Sequence, residues 1–243
     1  MSKSTSSYIQ LSAIIKKELR IYFNSAIAYI FVVVMLGFSF WWFFRSFFLV
    51  GQVEMRSFFE MLPWIYLFIL PAVTMRLWSE EFRQGTIETL LTSSIPVYLT
   101  VIGKFLSSIF FLLITLLLTL PLPIILSTLG NLDWGVVVSG YLGALLIGAC
   151  YISIGLVISS LSQNQIISYI ITALACFTLL IIAQPIVIYT VPNYLVPVLN
   201  FVSLGSHFDS IIRGVIDSQD IIYYLSVSGL LLYINSYVLF SRK

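Results

Sequence analysis

The chain has 243 residues, of which 60% are hydrophobic and only 9% charged, with a mean hydropathy of +1.04. A soluble domain would carry about a quarter charged residues, and the run from Trp134 to Phe208 contains no Asp, Glu, Lys or Arg at all, so a soluble fold is excluded. The net charge of +2 is too small to point to nucleic acid.

The first two dozen residues are polar or amphipathic, which does not fit a cleavable signal peptide. Tyr8 to Phe23 reads as an amphipathic helix. At a 100° step Leu11, Ile14, Ile15, Leu19 and Tyr22 share one face, and Lys16, Lys17 and Arg20 the opposite one. This is the pattern of a helix lying in a membrane interface. Glu18 falls in the middle of the apolar face. Either it sits at the lipid edge or caps a neighbouring group, or it meets another protein element such as the charged loop described below.

A spanning helix needs about 20 mostly apolar residues. Six such segments are expected, at Ile27–Phe44, Phe58–Met75, Phe105–Ile125, Val136–Ser159, Ile166–Tyr189 and Ile221–Phe240. Alternating strand patterns are absent, so the expected fold is an all-α polytopic membrane domain over residues 1–243. Six spans put both termini on one side. Nine basic residues (Lys3, Lys16, Lys17, Arg20, Arg76, Arg83, Lys104, Arg242, Lys243) share that side against three (Arg45, Arg56, Arg213) opposite, which orients the termini to the cytoplasm. Trp41, Trp42, Trp64, Trp134 and Tyr189 fall near the outer ends, as interfacial anchors do.

Pro63, Pro71, Pro121, Pro123 and Pro185 predict kinks within spans two, three and five. Span four presents Gly140, Ala144, Gly148, Gly155 and Ser159 at a spacing that permits close helix approach, either within the chain or in a dimer. Cys150 and Cys176 both lie in apolar runs and read as buried, inert thiols.

Between spans two and three lies the most polar stretch of the chain. Arg76, Glu80, Glu81, Arg83 and Glu88 are wedged between two hydrophobic runs, and burying such charges in lipid is costly. Ser79 is placed to cap a short helix with Glu80 and Glu81 in its first turn. Gly85 ends or bends it. Thr86 can cap a second helix with Glu88 in its first turn. Pro96 closes the segment, and Lys104 is expected to anchor the start of span three at the interface. The plain reading is a solvated connector; the length and the two cap signals favour a built element.

The segment EEFRQGTIETLLTSSIPVYLTVIGKF resembles the signature of ABC-2 type transporter permeases, in which a Glu-Arg-rich stretch is followed by Gly-Thr-x-Glu-x-Leu-Leu, a Pro and a Gly-Lys opening span three. KKELRIYFNSAIAYIF is similar to that family's entry helix, with Glu18 at its glutamate. SHFDSIIRGVIDSQDIIYYL is similar to the segment before its last span, through His207, Phe208, Arg213, Gly214 and Asp220. Within the family, these segments and the short length are most similar to the gliding-motility-associated permease subunit, with the nitrous-oxide-reductase maturation permease next. The resemblance implies the membrane half of an ABC exporter. Its partners would be a separate ABC ATPase subunit, a second permease copy or a sister permease, and membrane lipid; no nucleic acid is implied. It places ATPase coupling on Glu80, Glu81, Arg83, Gly85, Thr86, Glu88 and Leu91, supported by Glu18 and Lys104. The SSLSQNQ turn between spans four and five is polar but uncharged, which gives little basis for a second contact to the ATPase there.

Before the last span, Asp209, Arg213 and Asp217 are spaced by four and would form a charge ladder on a helix. Arg45 and Glu60 are placed to pair across the first hairpin. His207 is the only histidine and has no clustered thiol or carboxylate, so no metal site is expected. The chain has no GxxxxGK[ST] loop, HExxH or nucleophile–base pair, so no cofactor is expected and ATP hydrolysis is assigned to a partner. The alternative is a membrane scaffold or assembly subunit of a secretion, gliding or metalloenzyme-maturation complex that does not itself transport.

Overall fold

The computed structural model describes residues 3–50, 54–92 and 95–241, with the side chains of residues 3–6, 27, 48–50 and 91 outside that description. The described residues form thirteen helices and no strand. In chain order they are α1 (Lys3–Phe23), α2 (Ala26–Val50), α3 (Arg56–Thr74), α4 (Arg76–Arg83), α5 (Thr86–Thr92), α6 (Val97–Leu117), α7 (Pro121–Leu129), α8 (Trp134–Leu161), α9 (Gln165–Ile181), α10 (Pro185–Ile188), α11 (Val196–Val202), α12 (Leu204–Ile211) and α13 (Ser218–Phe240).

Five stretches are long and apolar enough to cross a membrane: α2, α3 with α4, α6 with α7, α8, and α13. The fifth predicted span is a shorter apolar helix of 17 residues, α9. At 1.5 Å per residue it reaches about 26 Å, close to the ~30 Å hydrocarbon core. Its chain breaks after Ile182 and restarts at Pro185 as α10, where a proline opens a helix at no hydrogen-bonding cost. Pro121 does the same for α7, after α6 ends at Leu117. Pro63 and Pro71 lie inside α3, which runs through both.

The helix starts are set locally. Asp133, Asn164, Ser203 and Asp217 cap α8, α9, α12 and α13 by accepting backbone N–H bonds from their first turns. α8 is the central helix, packed against α3, α6, α9 and α13. Its small-residue face is used within the chain. Gly140 lies against Phe59, Gly148 against Leu112 and Gly155 against Thr74, and Ala144 is fully buried. α2 and α13 are buried along one side only. Tyr29, Ile30, Val33, Trp41, Leu225, Tyr233 and Tyr237 are exposed, an apolar outer surface that suits lipid and not water.

Several local expectations are corrected. Span three begins at Val97 rather than Phe105, so Lys104 lies two turns inside α6, buried against α1 and α4 rather than at the helix start. The Asp209–Arg213–Asp217 ladder does not form. α12 ends at Ile211, Gly214 turns the chain at φ +89°, and Asp217 caps α13 instead. Arg45 and Glu60 do not pair among the described residues. Glu60 bonds Arg56 one turn away at 3.0 Å, and the Arg45 guanidinium lies 5.9 Å from the Trp41 ring centroid. Both cysteines are free and buried.

Candidate functional site: a lysine knot beneath the charged loop

α1 lies along α6 with its apolar face inward. Leu11, Ile14, Ile15 and Leu19 are partly buried and Tyr22 fully so, while Lys16, Lys17 and Arg20 are exposed. The helices approach closely at Gly103, where an added Cβ would stand 2.6 Å from the Ile14 side chain. One turn apart, two polar pairs join them. Glu18 Oε1 is 3.2 Å from Lys104 Nζ, and the Tyr22 hydroxyl is 3.0 Å from Ser108 Oγ; both pairs are separated by 86 residues. The equal offset means that α1 and α6 run in the same direction. Ser108 Oγ donates to Lys104 O at 2.9 Å, so the Tyr22 hydroxyl is the donor to Ser108.

Lys104 is 2% exposed, and a buried ammonium demands partners. Its three N–H bonds are all used: to Leu77 O at 2.6 Å, Glu81 Oε1 at 2.9 Å and Glu18 Oε1 at 3.2 Å. Leu77 and Glu81 are one turn apart on α4, so both acceptors share a face. Nζ also lies 4.7 Å from the centroid of the fully buried Trp78 ring, a favourable cation–π placement. Arg76 covers the Tyr22 ring at 4.8 Å. The knot ties α1, α4 and α6 together, and the remaining Glu81 oxygen, Oε2, is buried without a partner.

α4 is held from a second side by α8. Ser159 Oγ accepts from Trp78 N at 3.0 Å and Ser79 N at 3.2 Å and donates to Met75 O at 3.0 Å. Ser79 Oγ donates to Ser159 O at 3.3 Å. The expected role of Ser79 as a helix cap is therefore corrected. α4 already starts at Arg76 with no acidic residue in its first turn, and the capping hydroxyl comes from α8. The chain there continues almost directly from α3, which leaves no extended residue before Ser79 to serve as a cap.

A third link reaches the start of α9. Glu80 accepts from Arg83 Nη2 at 2.7 Å, from Gln84 Nε2 at 2.5 Å and, on its other oxygen, from Gln165 Nε2. The uncharged turn between α8 and α9 thus contributes to the same end of the molecule.

Gly85 breaks the two short helices at φ +69°, a backbone region that disfavours any residue with a Cβ. α5 then starts at Thr86, with Glu88 in its first turn. Thr86 is its first helical residue rather than a preceding cap, and its hydroxyl donates to Glu81 O at 3.4 Å. Ile87 is buried, while Arg83, Gln84, Gly85, Thr86, Glu88 and Thr89 are exposed. The Leu91 side chain lies outside the described residues. A cleft of ≈ 580 Å³ opens beside the knot, bordered by Lys17, Arg76, Glu80, Glu81, Arg83 and Gln165.

The sequence leaves Glu18 either at the lipid edge, capping a neighbour, or against the charged loop, and puts Lys104 at the start of span three; in the structure Lys104 bonds both Glu18 and the loop's Glu81. Ser159, Gln165 and Trp78 were missed. Ser159 stood out only as a small residue, and Gln165 only as part of a polar turn at the same end.

An all-helical, multi-pass membrane protein with an amphipathic entry helix clamped to a charged loop is the class these features define. The model of the ABC-2 family transporter protein matches residues 68–243, well over half of the chain, and the protein belongs to that family. No curated protein matches the chain.

Proposed function

We propose that the chain is the permease subunit of an ATP-driven exporter, and that α4 and α5 form the handle gripped by a separate ATPase subunit. The observation that carries this reading is the Lys104 knot. A membrane protein that needed only to connect two spans would have no use for a loop fastened to α6, α8 and α9, and through Lys104 to α1, by buried and partly buried polar bonds. Fastened in this way, α4 cannot move without carrying α6 and α1. Packed elements switch between discrete arrangements, so a push on the exposed face of α5 is passed into the bundle.

Glu80, Glu81 and Lys104 serve as the inner fixings in this account. Arg83, Gly85, Thr86, Glu88 and Leu91 form or shape the contact face, and Glu18 supports the loop from α1. The excess of Lys and Arg at this end supports a cytoplasmic position for the loop and both termini in a bacterial inner membrane. A second permease, identical or a sister chain, would complete the path, and the exposed apolar faces of α2 and α13 are free to meet it or lipid. The similarity of the three motif segments to gliding-motility-associated permeases supports a place in such machinery.

The test is to purify the chain with its membrane partners and to assay ATPase activity and transport in lipid with and without it. Glu88→Lys should leave insertion and assembly of the bundle intact while ATP hydrolysis no longer drives transport. Normal transport in that variant would remove Glu88 from the handle. A chain that never associates with an ATPase in any lipid or detergent would favour a scaffold instead.

A further inference from the structure

At the end of the bundle opposite the charged loop, α11 and α12 are clasped by the first turns of α13. Tyr223 donates to Val202 O and Tyr224 to Leu204 O, each at 2.6 Å. Between them His207 is buried, its ring stacked on Tyr223 with centroids 4.0 Å apart and 22° between planes. His207 Nδ1 is 2.6 Å from Asp220 Oδ1, and Nε2 is 3.1 Å from Phe201 O. The second oxygen of Asp220, Oδ2, is buried without a partner.

These two contacts fix a proton count. A carbonyl oxygen can only accept, so Nε2 carries a proton toward Phe201. The 2.6 Å contact between Nδ1 and Oδ1 needs a second proton between two atoms that are otherwise both acceptors. A neutral imidazole with an ionised carboxylate supplies only one proton in all. The arrangement therefore holds one more, as imidazolium with carboxylate or as imidazole with carboxylic acid.

Of the other titratable groups nearby, Tyr151 on α8 is buried and its hydroxyl has no hydrogen-bond partner among the described residues. The hydroxyls of Tyr223 and Tyr224 on α13 and the thiol of Cys150 on α8 donate to carbonyls, so the arrangement requires their protons. Cys176 on α9 is buried and free. Asp217 caps α13 by accepting from Gln219 N. Asp209 on α12 and Arg213 beyond its end are exposed, and α11 carries no titratable side chain.

We propose that His207 and Asp220 form a one-proton clasp on the end of α11, and that loss of this proton frees Phe201 O and loosens that end, which Tyr223 and Ser206 still hold at Val202 O and Asn200 O. When the proton leaves, the ring can keep only one contact. The Nδ1–H tautomer keeps Asp220 and turns a bare Nε2 toward Phe201 O. The Nε2–H tautomer keeps Phe201 and sets two acceptors against each other at Asp220. A lone pair facing a buried acceptor is costly, so the ring leaves one partner, and Phe201, at the end of a helix with no buried residue, yields first. The clasp is tight in acid and loosens as pH rises on that side of the membrane. It does not depend on the ATPase reading.

The test uses the full chain in lipid nanodiscs. His207 is the only histidine, so nitrogen NMR of ¹⁵N-histidine-labelled protein reports this ring alone. Hydrogen exchange of α11, corrected for the intrinsic pH dependence of amide exchange, is followed across the same titration. Exchange in α11 should quicken on the order of tenfold with the same midpoint as a change at Nδ1, while α12 stays protected. Asp220→Asn should abolish the pH dependence without loosening that end of α11. An amide N–H can donate to Nδ1 while Nε2–H still donates to Phe201 O, so a neutral ring keeps both contacts. Wild-type exchange that is flat through the change at Nδ1 would overturn the proposal. So would a pH dependence that persists unchanged in a folded Asp220→Asn variant. The wild-type titration decides the matter alone if that variant does not fold.

Discussion

Lys104 and Glu81 meet at 2.9 Å although one lies inside a spanning helix and the other on the charged loop. The contact is buried, with 2% of the lysine and 14% of the glutamate side chain exposed, and Glu18 completes it from α1 at 3.2 Å. A charged loop that looks misplaced among apolar runs is thereby fixed to the helices around it.

Removing the lysine should cost more than removing the whole cluster. Lys104→Met leaves two carboxylates buried without their cation, a change worth about 3–5 kcal/mol when one partner of a buried pair is lost. Adding Glu18→Gln and Glu81→Gln removes both unpaired charges and should restore a large part of the loss. Thermal unfolding in detergent of the single and triple variants checks this. A triple variant less stable than the single would contradict it.

Ser159→Ala takes away the acceptor for two α4 amides and the donor to Met75 O. Each buried group left without a partner costs about 1–3 kcal/mol. Hydrogen exchange should quicken at Trp78 and Ser79 while the middle of α8 stays protected. Unchanged protection at those two amides would show that Ser159 does not hold α4.

Gly155 and Thr74 should behave as a coupled pair. An added Cβ at Gly155 would overlap the Thr74 side chain, and overpacking costs about 1–3 kcal/mol. Gly155→Ala should destabilise the protein, and Thr74→Ala in the same chain should recover part of that loss. Additive effects in a double-mutant cycle would exclude direct contact.

Gly85 has open space where a Cβ would stand, so its requirement is backbone only. Gly85→Ala should cost about 1–2 kcal/mol, the penalty for an L-residue in the left-handed region. Gly85→Pro cannot reach φ +69° with a ring fixed near −65°. It should misplace α5 and uncouple ATP hydrolysis from transport while the spans insert normally. Parallel assays of membrane insertion and ATP-driven transport distinguish the two effects.

Much of this was legible because it is periodic or local. The phase of α1 separates Lys16, Lys17 and Arg20 from the buried face containing Glu18, and Gly85 between two polar runs marks the break. The long-range bonds were not. Lys104 reads as an interfacial anchor when the start of α6 is set by hydropathy, because its charge interrupts an apolar run that already begins at Val97. Ser79 reads as a cap because nothing local shows that α4 has already begun. Asp209, Arg213 and Asp217 match a helical spacing, yet Gly214 interrupts it, and the pair that forms is His207 with Asp220. Such partners are chosen by how helices pack, and a single sequence carries no period for that.

The exposed face of α5 is the proposed binding site for an ATPase. A photoreactive amino acid replacing Glu88, in the full chain expressed with its natural membrane partners, tests it most directly, with the same group at Ile216 on the opposite end as the control. An ATPase adduct is expected from position 88 and none from position 216. An ATPase that co-purifies with the chain but is captured from position 216, and not from 88, would contradict it.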